Sequence, residues 1–370
     1  MTQELNPDIS SLINGLTSDP KSWSNSSLIS VTQITPSGLN LLYQTTIQMR
    51  NLVKNGKGGD DTLKHHVLAS VFYEASTRTS CSFQTAMLRL GGSVIHVDAG
   101  SGGNTSASKK GESLSDTIKC LQCYTDVTVL RHPVKGNVGD IVMNGGLERP
   151  VINAGDGVGE HPTQALLDLF TIVDELGMLE NNDNHNINNN NDDDDDDDDK
   201  PLVVVMLGDL KHGRTVHSLA KLLSRTQKGF LKRKLILRYS SPPSLRMPQY
   251  VKDYVNEYAA DSDIVQEEFI DQGEDTIKAV LKDANVLYVT RVQKERFDTE
   301  EEYNEVKGAY IVDNQFMSNA PSKMIVMHPL PRVDEIATEV DSDPRAAYFR
   351  EMQNGLFVRM AILSLILKKD

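Results

Sequence analysis

Cysteine is scarce in this 370-residue chain: Cys81, Cys120 and Cys123 are the only three. Three thiols cannot build the disulfide framework of a small secreted domain. Cys120 and Cys123 have the spacing of a redox pair, but the stretch 114–124 reads as helix with no Gly or Pro turn, so they are expected to be buried helix thiols. Basic residues are outnumbered, with 38 Lys+Arg against 52 Asp+Glu and a net charge of −14. Eight of the acids form one run, Asp192 to Asp199, and the remainder is only mildly acidic. That balance argues against nucleic acid or a membrane surface as partner, since either needs a basic patch. No apolar run approaches the roughly 18 residues of a spanning helix. Residues 1–26 are polar, with Glu4 and Asp8 and no apolar segment, and read as neither a secretory signal nor a transit peptide. A reducing, cytoplasmic setting is expected. The nine histidines are scattered, and the pair His65-His66 has no ligand partner in spacing, so no metal site is expected. No nucleophile elbow is present either.

What is there is the composition of a globular protein, 39% hydrophobic and 24% charged, with length for two domains. Residues 1–27 are expected to be a loose leader. The Asn/Asp tract at 179–200 is low in complexity and reads as a disordered, solvated insertion. On either side of it, short β-branched runs alternate with helical periods. Val67–Tyr73, Ser93–Val97, Val127–Leu130 and Val151–Asn153 read as strands before the tract. Leu202–Leu207, Leu235–Tyr239, Val286–Val289 and Met324–Met327 read as strands after it. Phe83, Ala86, Met87 and Leu90 fall at helical spacing and Gly91 ends their turn. Helices are also expected over 112–124, 162–176, 215–223, 248–258, 276–281 and 345–367, the last with a break near Gly355. The pattern is α/β: two domains, each a parallel sheet flanked by helices.

In such sheets ligands sit at the carboxyl ends of strands, and the loops there are rich in chemistry. The first strand ends in Glu74-Ala-Ser-Thr-Arg-Thr-Ser80, where hydroxyls, helix-start N–H groups and Arg78 suit a phosphate. Arg131-His-Pro133 adds a cation at the same edge. Asn153-Ala-Gly-Asp-Gly-Val-Gly-Glu-His161-Pro-Thr-Gln164 lets backbone approach a ligand and aims His161 and Gln164 from a helix start. After the tract, Gly208-Asp-Leu-Lys-His-Gly-Arg214-Thr215 matches a P-loop with arginine in place of lysine. Either it binds a nucleotide, or Arg214 grips a carboxylate. Arg291-Val-Gln293-Lys-Glu-Arg296 is cationic at another strand end. His328-Pro-Leu-Pro-Arg332 offers backbone carbonyls to an NH₂ group. The inventory is a phosphate pocket, a carboxylate pocket with two arginines, and a place for an amide-like group.

Taken together, Ser76-Thr-Arg-Thr79, Lys109-Lys-Gly-Glu112, Arg131-His-Pro133, His161-Pro-Thr-Gln164, Asp209-Leu-Lys-His-Gly-Arg-Thr-Val-His217, Arg291-Val-Gln-Lys-Glu-Arg296 and His328-Pro-Leu-Pro-Arg332 resemble the aspartate transcarbamoylase family. The closest resemblance is to the form found as a domain of the multifunctional pyrimidine-pathway protein, and it runs from about Ser30 to Leu367. It implies transfer of a carbamoyl group from carbamoyl phosphate to L-aspartate, early in pyrimidine biosynthesis, without cofactor or metal. It implies a carbamoyl-phosphate domain over 28–178, completed by a returning C-terminal helix over 344–370, and an aspartate domain over 201–343. It also implies a homotrimer with shared active sites, associated with or fused to other pathway enzymes. Ser76, Thr77, Arg78 and Thr79 would hold the phosphate, and Arg131, His161 and Thr79 would polarise the carbonyl. Gln164 and the carbonyls of Pro329 and Leu330 would hold the carbamoyl NH₂. Arg214, Arg291 and Gln293 would take the aspartate carboxylates, with Ser106 and Lys110 reaching in from a neighbouring subunit.

The nearest alternative is ornithine transcarbamoylase, which shares the phosphate motif. Its final loop carries cysteine where this chain has Pro329, and the cations around Arg291 would repel an ornithine ammonium. Ser80 stands where many relatives have arginine and His212 where some have tyrosine; neither touches substrate in the family scheme.

Overall fold

The computed structural model describes residues 15–100, 110–179, 200–260, 263–271 and 273–368. The chain forms two compact α/β units. One runs to Leu167 and resumes at Met352; the other is Asp168–Glu351. The division cuts two helices, Pro162–Glu175 and Tyr348–Leu367, each of which gives residues to both units.

The first unit holds α1 (Pro36–Lys54), β1 (Val67–Phe72), α2 (Thr77–Arg89), β2 (Ser93–Asp98), α3 (Leu114–Gln122), β3 (Val127–His132), α4 (Asn137–Asn144), β4 (Val151–Asp156) and the start of α5 (Pro162–Glu175). Its sheet has the order β2-β1-β3-β4 and every pairing is parallel. One core cluster packs Ala69, Val71, Leu130 and Val151 of the sheet against Ile118, Val138 and Ile141 of α3 and α4.

The second unit holds β5 (Leu202–Gly208), α6 (Arg214–Thr226), β6 (Leu235–Ser240), α7 (Gln249–Ala259), β7 (Ile264–Phe269), α8 (Glu274–Leu281), β8 (Val286–Thr290), α9 (Glu300–Val306), α10 (Asn314–Ser318), β9 (Ile325–Met327) and the start of α11 (Tyr348–Leu367). Its parallel sheet has the order β7-β6-β5-β8-β9. β5 is buried along its whole length, as a central strand covered on both faces must be, and its sequence is correspondingly an unbroken apolar run. Val203, Val205 and Leu207 share one face and pack with Leu287, Val289 and Val326, under Val280, Leu281, Phe316 and Met317.

Several expectations need correction. The stretch 1–27, expected to be loose, is packed from Gly15 onward. Leu16 and Trp23 are fully buried, the Trp23 indole N–H donates to Thr17 O at 2.9 Å, and Leu28 N donates to Val151 O at 2.9 Å. Two large apolar side chains in a polar stretch suffice to anchor it. Residues 1–14, and the tract at 180–199, lie outside the described residues. Helix α11 continues through Gly355. A Cβ there would lie 2.8 Å from Arg359 Nη1 and 3.0 Å from Leu167 Cδ2, so the glycine serves close packing and not a break. Cys120 and Cys123 are free and exposed, because α3 turns Thr117 and Ile118 inward instead. Replacing Trp23 by alanine should lower the unfolding free energy by about 3–5 kcal/mol; an unchanged denaturation midpoint would mean that this segment does not pack.

Candidate active site

In the first unit the loops after β1, β3 and β4, three adjacent strands, carry the expected residues to one edge of the sheet. Ser76 is the N-cap of α2, yet its side chain makes no bond to its own helix. Its hydroxyl instead receives Arg131 Nη1 at 3.4 Å. A helix start without a side-chain cap, with the helix dipole behind it, suits an anion. Thr77 and Arg78 are exposed on that turn, and Thr79 is buried beneath it. Arg131 is held in turn by Glu74, with Nε 3.2 Å from Oε2 and both side chains largely buried. Its guanidinium is therefore fixed before any ligand arrives.

His161, 4% exposed, sits just ahead of Pro162, which opens α5. Its Nε2 is 3.5 Å from Thr79 Oγ1, so the first and fourth strand ends meet. The loop that delivers it is built on Asp156, whose carboxylate accepts Glu160 N at 2.7 Å and Gly136 N at 3.0 Å. Gln164, also buried, follows one turn along α5. Beside this edge, burial lowers the basicity of His132, and its Nδ1 accepts Val134 N at 3.1 Å. Burial thus favours the neutral form of His132.

In the second unit the loops follow β5, β8 and β9, again three neighbouring strands. Asp209, 0% exposed, organises two of them. Its oxygens accept His212 N at 3.0 Å, His212 Nδ1 at 3.1 Å and Gln293 N at 3.3 Å. Gly208 precedes it at φ +124°, where a Cβ would strike Thr290 O at 2.3 Å; only glycine fits. Thr290 Oγ1 bonds Leu207 O and Asp209 O, and Tyr310 Oη donates to Thr290 O at 2.7 Å. Arg214, the first residue of α6, and Arg291 and Gln293 after β8 are thus carried by loops stitched to one carboxylate. The same carboxylate speaks against the nucleotide reading, because it fills the loop with negative charge and takes an N–H that a phosphate would need. Arg291 pairs with Glu295, four residues on, in a bond that raises its already high basicity.

After β9, Pro329 and Leu330 lie in a turn held by His328. The His328 Nδ1 accepts Leu330 N at 2.7 Å, and its Nε2 lies 2.7 Å from Glu335 Oε1. Burial opposes ionisation of Glu335, but the bonds from His328 and from its own loop's N–H groups outweigh it and hold the acid below its usual range. Leu330 adopts φ +53°, a strained conformation for a branched side chain.

Lys110 is exposed, and Ser106 lies outside the described residues. Asp209, Glu74, Asp156 and Glu335, the anchors behind the ligand-facing groups, were not singled out from sequence. Asp156, Asp209 and Glu74 had the one available signal, an acid at or just past a strand end. Among the described residues no group of three or more His, Cys, Asp or Glu side chains is placed to hold a metal, and no helix is long and apolar enough to cross a membrane.

Two family models match the chain. "Aspartate/ornithine carbamoyltransferase, carbamoyl-P binding domain" covers residues 26–174, and "Aspartate/ornithine carbamoyltransferase, Asp/Orn binding domain" covers residues 200–366. The multifunctional protein pyr1-3 of Dictyostelium discoideum is 48% identical over 92% of this chain, and the match spans 13% of that protein's length. The aspartate carbamoyltransferase catalytic subunit of Vibrio cholerae is 40% identical over 93% of this chain and 97% of its own. Among solved structures, aspartate transcarbamoylase of Trypanosoma cruzi in complex with N-(phosphonacetyl)-L-aspartic acid superposes with a TM-score of 0.80 at 38% identity, covering 94% of this chain and 97% of its own. The same enzyme in complex with carbamoyl phosphate and aspartate gives 0.80 at 36% identity, covering 96% and 99%. With two domain models spanning both units and a full-length relative at this identity, the chain belongs to the aspartate/ornithine carbamoyltransferase family, in its aspartate carbamoyltransferase branch.

Proposed function

We propose that the chain transfers the carbamoyl group of carbamoyl phosphate to the amine of L-aspartate, giving N-carbamoyl-L-aspartate and phosphate, as an early step of pyrimidine biosynthesis in the cytoplasm. The observation that carries this is the junction of Ser76, Thr79, Arg131 and His161 at an uncapped helix start. Phosphate rests on the N–H groups, hydroxyls and guanidinium of Ser76 to Thr79. The carbonyl oxygen faces Thr79, Arg131 and His161. Gln164 and the carbonyls of Pro329 and Leu330 take the carbamoyl NH₂, while Arg214, Arg291 and Gln293 take the aspartate carboxylates.

The amine nitrogen attacks the carbamoyl carbon, and charge gathers on the carbonyl oxygen. Arg131, already fixed by Glu74, meets that charge without having to reorganise, and Arg78 and His161 add to it. The carbon–oxygen bond to phosphate then breaks. The phosphate takes the amine's proton as it departs and is released as the hydrogen phosphate dianion, so no protein base is required.

The assembly is a homotrimer with shared sites, to which a neighbouring subunit brings Ser106 and Lys110. Two carboxylates and a phosphate bring more negative charge than one subunit's cations balance, which is the physical demand for Lys110. Association with, or fusion to, other enzymes of the pathway belongs to the same proposal and is supported by the multifunctional relatives.

Two measurements test this. With carbamoyl phosphate and L-aspartate, Arg78→Ala should lower kcat by about 10²–10³ while KM changes far less; a variant that keeps half of the wild-type kcat contradicts the assignment. Lys110→Ala and Arg78→Ala proteins, each inactive alone, should recover about a quarter of wild-type activity after subunit exchange, because a site drawing on two random subunits escapes both lesions one time in four. Verified exchange without recovery means the sites are not shared.

A further inference from the structure

The second unit contains a buried polar relay to which the chemistry above gives no part. Asp168 on α5, Tyr288 on β8 and Glu351 on α11 are each 0% exposed. Tyr288 Oη donates to Asp168 Oδ2 at 2.8 Å, and the Thr215 hydroxyl, one residue beyond Arg214, bonds the same phenol. The Asp168 carboxyl is hydrogen-bonded to that of Glu351. Glu351 Oε2 accepts His328 N at 2.9 Å. His328 in turn takes the Leu330 N–H on Nδ1, so its ring proton sits on Nε2 and is donated to Glu335.

Two carboxyl groups can bond each other only if one keeps its proton. Burial, followed by the neighbouring Asp168 charge, pushes the Glu351 acid well above its usual range, which marks Glu351 as the holder. Asp168, receiving the Tyr288 hydroxyl and the Glu351 proton, acts as acceptor in both bonds.

We propose that Glu351 is a positioning residue that, as a neutral acid, donates to Asp168 and receives the His328 amide, and so fixes the turn presenting the Pro329 and Leu330 carbonyls. The strained backbone at Leu330 needs such a hold, and His328 is where the hold is applied. The role in turnover rests on the carbamoyl-transfer reading; the protonation state does not.

The substitutions have opposite expected signs. Glu351→Gln preserves both bonds, because the amide NH₂ donates to Asp168 while its oxygen takes the His328 N–H. Asp168→Asn keeps both only if Glu351 gives up its proton and accepts from the new amide, an ionisation that burial opposes. Glu351→Leu keeps the volume and loses both bonds. Steady-state kinetics should therefore show Glu351→Gln within about twofold of wild type, and Glu351→Leu with KM for carbamoyl phosphate raised about tenfold and KM for aspartate changed less.

Melting temperatures supply the second readout. Among the described residues, Asp168, Tyr288 and His328 are ionisable groups that face Glu351. The folded chain retains a proton that the unfolded chain releases above the ordinary carboxyl range, so wild type loses stability as pH climbs. Glu351→Gln carries no such proton, and its advantage over wild type should grow from about pH 5 to about 8.

Glu351→Gln as damaging as Glu351→Leu, or Asp168→Asn tolerated as well as Glu351→Gln, overturns the proposal. If Glu351→Leu fails to fold, the Gln and Asn variants still decide. If wild type does not transfer the carbamoyl group at all, the functional reading fails while the stability ordering still judges the relay.

Discussion

The carboxylate of Asp209 sits fully buried at the end of a central parallel strand. It accepts two donors from His212 and the backbone N–H of Gln293. Those bonds tie the loop after β5 to the loop after β8, and each loop carries an arginine. Without the carboxylate, two partly buried backbone N–H groups would lose their acceptor and two cationic loops would lose their common anchor. An unsatisfied buried donor costs about 1–3 kcal/mol, enough to let a loop rearrange. The cationic face of the second unit therefore depends on a negative charge placed behind it.

The first unit uses the same device. Glu74 holds Arg131 from behind, and Asp156 holds the loop that delivers His161. In each case a carboxylate largely removed from water fixes a group that the proposed function assigns to a ligand, so little ordering would remain for binding to supply. Arg291 is built differently. Its partner Glu295 is more than half exposed, and an exposed pair of this kind contributes roughly 0–1 kcal/mol. On the proposed function, a substrate carboxylate would displace it at small cost, and Glu295 would return to water. Arg131 is thus prearranged, and Arg291 is held in reserve.

Strands with apolar runs were plain in the sequence, because β5 and β8 are buried along their length and the few polar groups they carry, Tyr288 and Thr290, are hydrogen-bonded. The ligand-facing loops were legible for a related reason: parallel strands put them at one edge. What failed to show is instructive. β7 is an edge strand with one buried residue, so Ile264-Val-Gln-Glu-Glu-Phe269 has no strand signature. Helix α1 buries Thr45 and Thr46 beside Leu42 and Met49, which blurs its apolar stripe. Trp23 and Leu16 are isolated in polar surroundings, and their burial depends on partners far along the chain. The acids Asp156, Asp209, Glu335 and Glu351 look like ordinary surface charges until the fold buries them. Asp156, Asp209 and Glu351 also reach backbone 20, 84 and 23 residues away, which no local pattern records.

Acceptor choice tests the account most directly. With saturating carbamoyl phosphate, the purified chain should carbamoylate L-aspartate and leave L-ornithine essentially untouched, because Arg214 and Arg291 attract a second carboxylate and repel a second ammonium. Carbamoylation of ornithine at a comparable kcat/KM, or no reaction with aspartate, would contradict it.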